Sequence, residues 1–434
     1  MRISCKLSRV YDIALLLFSL SVFFSNSAYA EIFKVQATGV YTMSTYETPV
    51  VAQERALKEA ERRAVEQAGI YVESYTKTKN AIVQKDEILA ITSNLITVLE
   101  KKITKKVDSA NNLQFLAHII ATVDTDSVIK GLQRNDIQNV LKDYKDLQNK
   151  YLEQESEIAR LKQAIADRTK DNEALLKQKA SSLESDFLLN TRIEEANRLV
   201  YKGDFDSAIK IYTEIISKSD NIDIKSGIYA NRSIAYMSLH NYDSALNDCN
   251  KSLTINPDNK LAYNNRSVVY YNIQKYIESL SDCNKALELD PSYVQAYINR
   301  GNAYVKLGNF TAALNDFNKS ISLSETAVSY ANRGALYCMS ERFDEGLKDF
   351  TKAIEIDPNY ANSYIGLGAI YLFREQYSLA LKYLNKAIEL NPDFGTGYGY
   401  RAQVYKKLGK KDLEKKDLEK AVSLGVAPGL PNGN

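Results

Sequence analysis

Aromatic residues recur at a fixed spacing through the last half of the chain and predict a repeated pair of helices. Two rows of tyrosines carry the repeat, seven residues apart within each copy, and the copies follow at 34 residues, once at 33. Such a period is typical of a helical solenoid, in which each unit stacks on its neighbours to bury its apolar face. The rows are Tyr229, Tyr263, Tyr297, Tyr330, Tyr364 and Tyr398, and Tyr236, Tyr270, Tyr304, Tyr337, Tyr371 and Tyr405.

Small residues and prolines complete the repeated unit. A small residue lies four positions after the first tyrosine and predicts a close approach of two helices; its members are Ser233, Ser267, Gly301, Gly334, Gly368 and Ala402. Proline ends the second helix of four units, because it lacks the amide hydrogen and its ring clashes with the preceding turn. These prolines are Pro257, Pro291, Pro358 and Pro392.

This pattern resembles the tetratricopeptide repeat (TPR), a unit of two antiparallel helices, with tyrosine where the family usually has tryptophan. We therefore predict a mostly α-helical protein with a seven-unit TPR solenoid over residues 189–424 and a flexible tail over 425–434. The first unit is atypical, and the last is rich in lysine and acidic residues, as expected of a helix that caps the stack against water.

Arginine and aspartate occur together in the repeat. An arginine of the first helix is followed sixteen residues later by an aspartate in five units. The two units without the arginine also lack the aspartate: the sixth has Leu367 and Tyr383, and the first has Glu195 and Ile211. Joint loss predicts direct contact, because one partner alone would leave an unpaired, partly buried charge. The predicted pairs are Arg232–Asp248, Arg266–Asp282, Arg300–Asp316, Arg333–Asp349 and Arg401–Asp417.

A row of asparagines forms the candidate binding site. The row lies on first helices, on the face that lines the concave groove in the TPR family, and resembles the asparagine ladder of the O-linked N-acetylglucosamine transferase. Side-chain amides offer donors and acceptors to the backbone of an extended peptide. The alternative is that they merely solvate the groove. The residues are Asn197, Asn231, Asn265, Asn299, Asn302 and Asn332.

The first 30 residues have the composition of a secretory signal peptide. Basic residues precede an apolar run from Ile13 to Phe24, and small residues at Ala28 and Ala30 mark a cleavage site before Glu31. The run is short for a membrane span, so we expect no stable span after cleavage. The sequence thus predicts export, to the periplasm if the source is a Gram-negative-type bacterium.

Residues 31–131 show no repeat and predict a small α+β domain. A strand is expected from Ile32 to Val40, and a helix from Thr48 and Pro49 to Gly69 with an alanine at every fourth position. A second helix near Asp86 to Leu99 and a hairpin around residues 110–112 follow. The order resembles the amino-terminal domain of flagellar assembly protein T and related small outer-membrane lipoproteins, and implies an envelope-associated domain without chemistry of its own.

Apolar heptads join this domain to the repeats. Over residues 134–185 one core position is filled by Ile137, Tyr144, Tyr151, Ile158 and Ile165, which predicts a coiled coil and a homo-oligomer. The alternative is a single long helix that folds back on the first repeat.

The remaining composition argues against other classes of function. The net charge of +2, without a basic stripe, does not favour nucleic acid. The chain has two histidines, far apart, and its cysteines lack metal-site spacing, so neither a metal, another cofactor nor a catalytic group is predicted.

We therefore expect an exported, non-catalytic scaffold that holds a peptide or partner protein. The alternatives are a periplasmic envelope assembly or division factor, similar to flagellar assembly protein T or to the coordinator of the Tol-Pal system, and an enzyme with an unrecognised site in the amino-terminal domain.

Overall fold

The computed structural model describes residues 32–43, 47–78, 85–108, 111–124, 127–128, 173–219 and 221–426, with a few single positions between 145 and 160. The predicted signal peptide, the heptads before residue 173 and all but the start of the predicted tail lie outside the described residues. None of the helices in the described part of the chain combines the length and hydropathy that a membrane crossing requires.

The amino-terminal domain is a three-stranded antiparallel sheet with helices packed on one face. Strand β3, Leu113–Asp124, lies in the middle, between β1, Ile32–Thr42, and β2, Thr97–Val107. Every second residue of β3 is buried, which gives the alternation expected of a sheet with one covered face. The predicted hairpin joins β2 to β3, and Asn111 in its turn has a φ of 63°.

Helix α1, Pro49–Thr78, packs on β1 and β3 through its row of alanines. The side chains of Ala52, Ala56, Ala60, Ala64 and Ala68 are fully buried, as their four-residue spacing predicts. Helix and strand are so close at Gly39 that a Cβ there would lie 2.0 Å from the Ala56 carbonyl oxygen. A glycine is therefore required at this crossing.

The predicted ends of two helices are wrong. Helix α1 continues past Gly69 to Thr78, because this glycine serves packing rather than capping: a Cβ there would lie 2.7 Å from the Cδ2 of Leu89 on helix α2, Lys85–Leu95. Helix α2 also ends four residues before the predicted Leu99. Thr97 already pairs with β3, so ladder hydrogen bonds replace helical ones there.

Residues 173–423 form antiparallel helix pairs. The first helices of the units are α3 Glu173–Lys202, α5 Ile222–Ser238, α7 Lys260–Asn272, α9 Val294–Lys306, α11 Ala327–Met339, α13 Ala361–Phe373 and α15 Gly395–Lys407. The second helices are α4 Phe205–Lys218, α6 Tyr242–Ile255, α8 Tyr276–Leu289, α10 Phe310–Leu323, α12 Phe343–Ile356, α14 Tyr377–Leu390 and α16 Lys411–Ser423. Seven pairs stack in sequence, as the period predicts.

The small residues of the repeat lie where helices touch. Gly301 on α9 faces the ring of Phe317 on α10, and a Cβ at residue 301 would lie 2.6 Å from that ring. Gly368 meets Leu384 at the same distance two units later. The predicted register of the helix pairs is thereby confirmed.

The first helices form the inner wall of the solenoid. Each first helix contacts the first helix of the next unit, whereas second helices contact mainly the first helices on either side of them. Stacked pairs that are closer on one side must curve toward that side. The face formed by the first helices is therefore the concave one.

The amino-terminal domain packs directly on the first repeat helix, α3. Lys58 of α1 bonds to Glu194 at 2.8 Å, and Lys202 donates to the Ile96 carbonyl. Burial alone would lower the pKa of Lys58, but Glu194 and the neighbouring Glu61 outweigh it and raise that pKa. Charged groups therefore join the domain to the solenoid.

At the other end of this interface, the Arg55 guanidinium lies 4.5 Å from the centre of the Phe187 ring of α3. Arg55 is 1 % exposed and pairs with Glu47 at 2.9 Å. A desolvated cation between a carboxylate and a ring is favourably placed. The amino-terminal domain thus covers one side of α3 through both charged and aromatic contacts.

Candidate functional site

The asparagine row lies at the seams between neighbouring first helices, on the concave face. The amide of Asn231 donates to Asn197 at 3.4 Å, and the amide of Asn299 donates to Asn264 at 2.9 Å. Asn197 also accepts from the buried Tyr212 hydroxyl at 2.6 Å. These three asparagines of the predicted site therefore make hydrogen bonds from one unit to the next.

Asn265 differs from the rest of the row because it is buried. It is 4 % exposed, and its Nδ2 donates to the Ala230 carbonyl at 3.0 Å and to the Ser233 hydroxyl at 3.2 Å. An amide nitrogen has two hydrogens, so the donor capacity of Asn265 is filled within the protein. In this structure its side chain fixes α7 against α5.

The side-chain amides of Asn302 and Asn332 are available for hydrogen bonds to a ligand. Both are half-buried on first helices, and within the described residues neither side chain has a hydrogen-bond partner. Ala335, one turn beyond Asn332 on α11, is exposed. The middle of the concave face thus presents donors and acceptors to whatever lies in the groove.

All five predicted arginine–aspartate pairs form. Each guanidinium makes two hydrogen bonds to the carboxylate on the second helix of its own unit, at 2.7–2.8 Å. The aspartates are between 1 % and 6 % exposed. Paired forks of this kind are the strongest ion pairs in proteins, and they hold the two helices of a unit together.

Each of these arginines also lies beside the tyrosine rows and reaches the preceding unit. The guanidinium of Arg266 is 5.6 Å from the centre of the Tyr263 ring and 5.9 Å from that of Tyr270. Its Nη1 donates to Asn250 of the preceding second helix at 2.7 Å. The equivalent acceptors in other units are Thr213, Asn284, Asn318 and Asn385.

In the sixth unit the aromatic ring of Tyr383 takes the place of the arginine–aspartate pair. Leu367 takes the place of the arginine and is 3 % exposed. The Tyr383 ring stacks on Tyr371 at 5.4 Å and lies 6.4 Å from Tyr364, so it occupies the space between the two tyrosines that the guanidinium fills elsewhere. An apolar pair therefore substitutes for an ion pair of similar volume.

Comparisons with known proteins agree with this geometry. Models of the tetratricopeptide repeat family match residues 226–259, 269–308, 294–326, 325–393 and 398–424. These segments contain most of helices α5 to α16 and their small-residue contacts, whereas the first pair, α3 and α4, lies before them. Residues 226–424 are a tetratricopeptide repeat solenoid.

Individual relatives match only a short part of the chain. Human tetratricopeptide repeat protein 28 is 36 % identical over 72 residues, which is 17 % of this chain and 3 % of that protein. Human sperm-associated antigen 1 is 36 % identical over 76 residues, 18 % of this chain and 8 % of that protein. The chain therefore spans only a small part of the curated relatives it matches.

Solved structures include a similar chain. A tetratricopeptide repeat protein from Parabacteroides merdae ATCC 43184 covers 55 % of this chain and 93 % of its own, at 22 % identity and a TM-score of 0.46.

Two exposed apolar residues of the TPR solenoid were not predicted from the sequence. Met339 ends α11 and is 43 % exposed; Phe373 ends α13, is 65 % exposed and stacks on the Phe343 ring at 4.2 Å. They are 34 residues apart, so the repeat itself could have identified them. They add an apolar area to the edge of the first-helix face.

The described residues of the TPR solenoid show no arrangement of groups suited to catalysis or metal binding. No cluster of metal-binding side chains occurs in the part of the chain that the structure describes. Burial raises the pKa of the Cys249, Cys283 and Cys338 thiols to about 11, so they are poor nucleophiles at neutral pH. All three are free.

Proposed function

We propose that the protein is a non-catalytic scaffold whose concave TPR surface binds an extended peptide or an extended segment of a partner protein. The observation that carries the proposal is the pair of half-buried amides, Asn302 and Asn332, on adjacent first helices. Half-buried polar groups without a protein partner are favourable sites for a ligand that supplies hydrogen bonds.

An extended backbone has the chemistry that this surface requires. Each peptide unit offers one N–H and one C=O, and an asparagine side chain can bond to both. Such contacts do not depend on the sequence of the peptide. The exposed Phe373 ring, beyond Asn332 in the next unit, would receive an apolar side chain of the same peptide and so add specificity.

The other members of the row contribute unequally to this proposal. Asn231 and Asn299 each use one hydrogen of their amide within the solenoid and keep the second for a ligand, and Asn197 is exposed. Asn265 supports the wall rather than facing the groove. The chain therefore contains its own control residue for the proposed site.

Peptide selection from a random phage-displayed library on the full-length chain tests the proposal. Peptides selected on the parent should bind Asn302→Ala/Asn332→Ala about tenfold more weakly, because two hydrogen bonds are lost, while the thermal midpoint hardly changes. Asn265→Ala should lower the thermal midpoint, because it removes two buried hydrogen bonds between α7 and α5. Unchanged peptide affinity in the double variant would contradict the asparagine site.

Export and self-association remain part of the proposal and are supported by the sequence. Protein isolated from its native cells should begin at Glu31, and an intact Met1 would contradict cleavage. The heptads over 134–185 should give an oligomer in sedimentation experiments, and a monomer at micromolar concentration would exclude this role for them.

A further inference from the structure

Strand β2 is an open sheet edge. Within the described residues it pairs with β3 alone, and every one of its residues except Val98 is exposed. Neither α1 nor α2 packs on it to a comparable extent. The outer side of β2 therefore presents a row of N–H and C=O groups that a further strand could bond.

Four lysines flank this edge on both faces of the sheet. Lys101 lies opposite Ile119 on β3, and Lys105 lies opposite Phe115. Ile119 and Phe115 are buried beneath α1, so these two lysines project on the helix side of the sheet. They are nevertheless exposed, since α1 covers β1 and β3 but not β2.

The other two lysines project from the opposite face. Lys102 lies opposite His118, and Lys106 lies opposite Gln114. His118 is exposed, on the face of the sheet that the helices leave open. An approaching strand would therefore meet positive charge above and below its own plane.

Part of this charge is offset, because Lys101 interacts electrostatically with Glu54 of α1. Glu100 is the only acidic residue of β2, and within the described residues none of the four lysines forms a salt bridge. A second copy of β2 would bring lysine against lysine, which is unfavourable across a strand pair. Pairing between two copies of this edge is therefore disfavoured, whereas pairing with an acidic strand is not.

We propose that β2 is a docking edge for an extended acidic segment of a partner protein, which adds to the sheet as a fourth strand. The backbone edge supplies the hydrogen bonds, and the lysines select the charge of the partner. This site lies in the amino-terminal domain and is independent of the concave TPR surface.

The placement of the lysines distinguishes an acidic strand from an anionic membrane. A flat surface can approach one face of a sheet, so it would reach either Lys101 and Lys105 or Lys102 and Lys106. A strand in the plane of the sheet has side chains on both faces and reaches all four. The observed distribution therefore favours the strand.

The order of residues along β2 specifies the ligand. Lys101 and Lys102 are followed by Ile103 and Thr104, and then by a second lysine pair. Residues directly opposite in an antiparallel pair share a face, and the two strands run in opposite directions. The matching strand therefore has, from its own amino end, two acidic residues, one small polar residue, one apolar residue and two more acidic residues. The bulge between Val98 and Glu100 lies before this stretch and leaves its register regular.

A blocked synthetic peptide of sequence EETVEEV and the full-length chain provide the test, by fluorescence titration at low ionic strength. We expect saturable binding that Lys101→Gln/Lys102→Gln/Lys105→Gln/Lys106→Gln weakens about tenfold or more, since four charge pairs are lost. A matched control changes four exposed lysines at the start of the last helix, Lys410, Lys411, Lys415 and Lys416, to glutamine, and should bind as the parent does.

A second probe separates strand addition from unspecific attraction and needs no variant of the protein. The same peptide, methylated on alternate backbone nitrogens, keeps its charge but loses the donors that face β2. Loss of binding supports the added strand. Equal binding of the methylated peptide, equal binding by both lysine variants, or binding to vesicles rich in phosphatidylglycerol but not to the peptide would overturn the proposal.

Discussion

Replacing Arg266 and Asp282 of the third unit by the leucine and tyrosine of the sixth unit tests why arginine and aspartate occur together. In the third unit Arg266 and Asp282 form a two-bond pair, whereas the sixth unit has leucine and tyrosine at these positions. We predict that Asp282→Ala destabilises the solenoid, that Arg266→Leu does the same, and that Arg266→Leu/Asp282→Tyr recovers most of the loss.

The structure sets the size of the expected effects. Removing one partner of a fully buried pair costs about 3–5 kcal/mol, and the Arg266 side chain retains 20 % exposure, so about 2–3 kcal/mol is expected for either single change. The tyrosine ring introduced by Asp282→Tyr would fill the space between Tyr263 and Tyr270, as Tyr383 does between its two tyrosines. The double variant forfeits only the hydrogen bond to Asn250, about 1 kcal/mol.

Solenoids can unfold unit by unit, so the assay must be local. Hydrogen exchange followed by mass spectrometry on the peptides that cover α7 and α8 reports the free energy of opening at this unit. Glu288→Ala is the control, because it removes an exposed pair with Lys285 and should change stability by less than about 0.5 kcal/mol. A double variant that is as unstable as the sum of the single changes would refute the reasoning.

Two further predictions concern glycine. Gly301→Leu should cost about 1–3 kcal/mol and lower the thermal midpoint, because the new side chain overlaps the Phe317 ring, and a variant as stable as the parent would mean that the helix contact is misplaced. Gly308 and Glu341 occupy the same turn position in successive units, with φ of 74° and 58°. In urea unfolding, Gly308→Ala should therefore destabilise the protein by about 1 kcal/mol, whereas Glu341→Gly should be neutral or stabilising. Equal effects of the two changes on stability would argue against backbone strain.

The repeat could be predicted from the sequence because each structural constraint occurs several times. The pairing of arginine with aspartate followed from their joint absence in the sixth unit. The hydrogen bond from Arg266 to Asn250 could have been found in the same way, since asparagine recurs two residues after most of the aspartates. What repeats in a solenoid can be compared within a single chain.

The amino-terminal domain offered no such comparison, and its predicted boundaries were less accurate. A glycine such as Gly69 often marks the end of a helix, yet Gly69 lies inside α1 because the Leu89 side chain packs against it. Whether a glycine caps or packs depends on a partner distant in sequence. The contact of Arg55 with Phe187 is equally invisible in the sequence, because the two residues belong to different domains.

The asparagine row was predicted by position, but its hydrogen bonds were not. Asn265 and Asn332 occupy the same place in their units. One is buried with both donor hydrogens used, and the other is half-buried without a protein partner, because the neighbouring unit offers a serine hydroxyl only to the first. Small differences between units therefore decide which members of the row can serve a ligand.

Site-specific photocrosslinking in native cells tests most directly whether the concave face is the functional surface. A photoreactive amino acid at Ala335, exposed on the first helix α11, should give a discrete adduct with a partner that Asn302→Ala/Asn332→Ala abolishes. The same group at Lys319, exposed on the second helix α10, should give none. The same adduct from both positions, or from neither, would contradict binding in the groove.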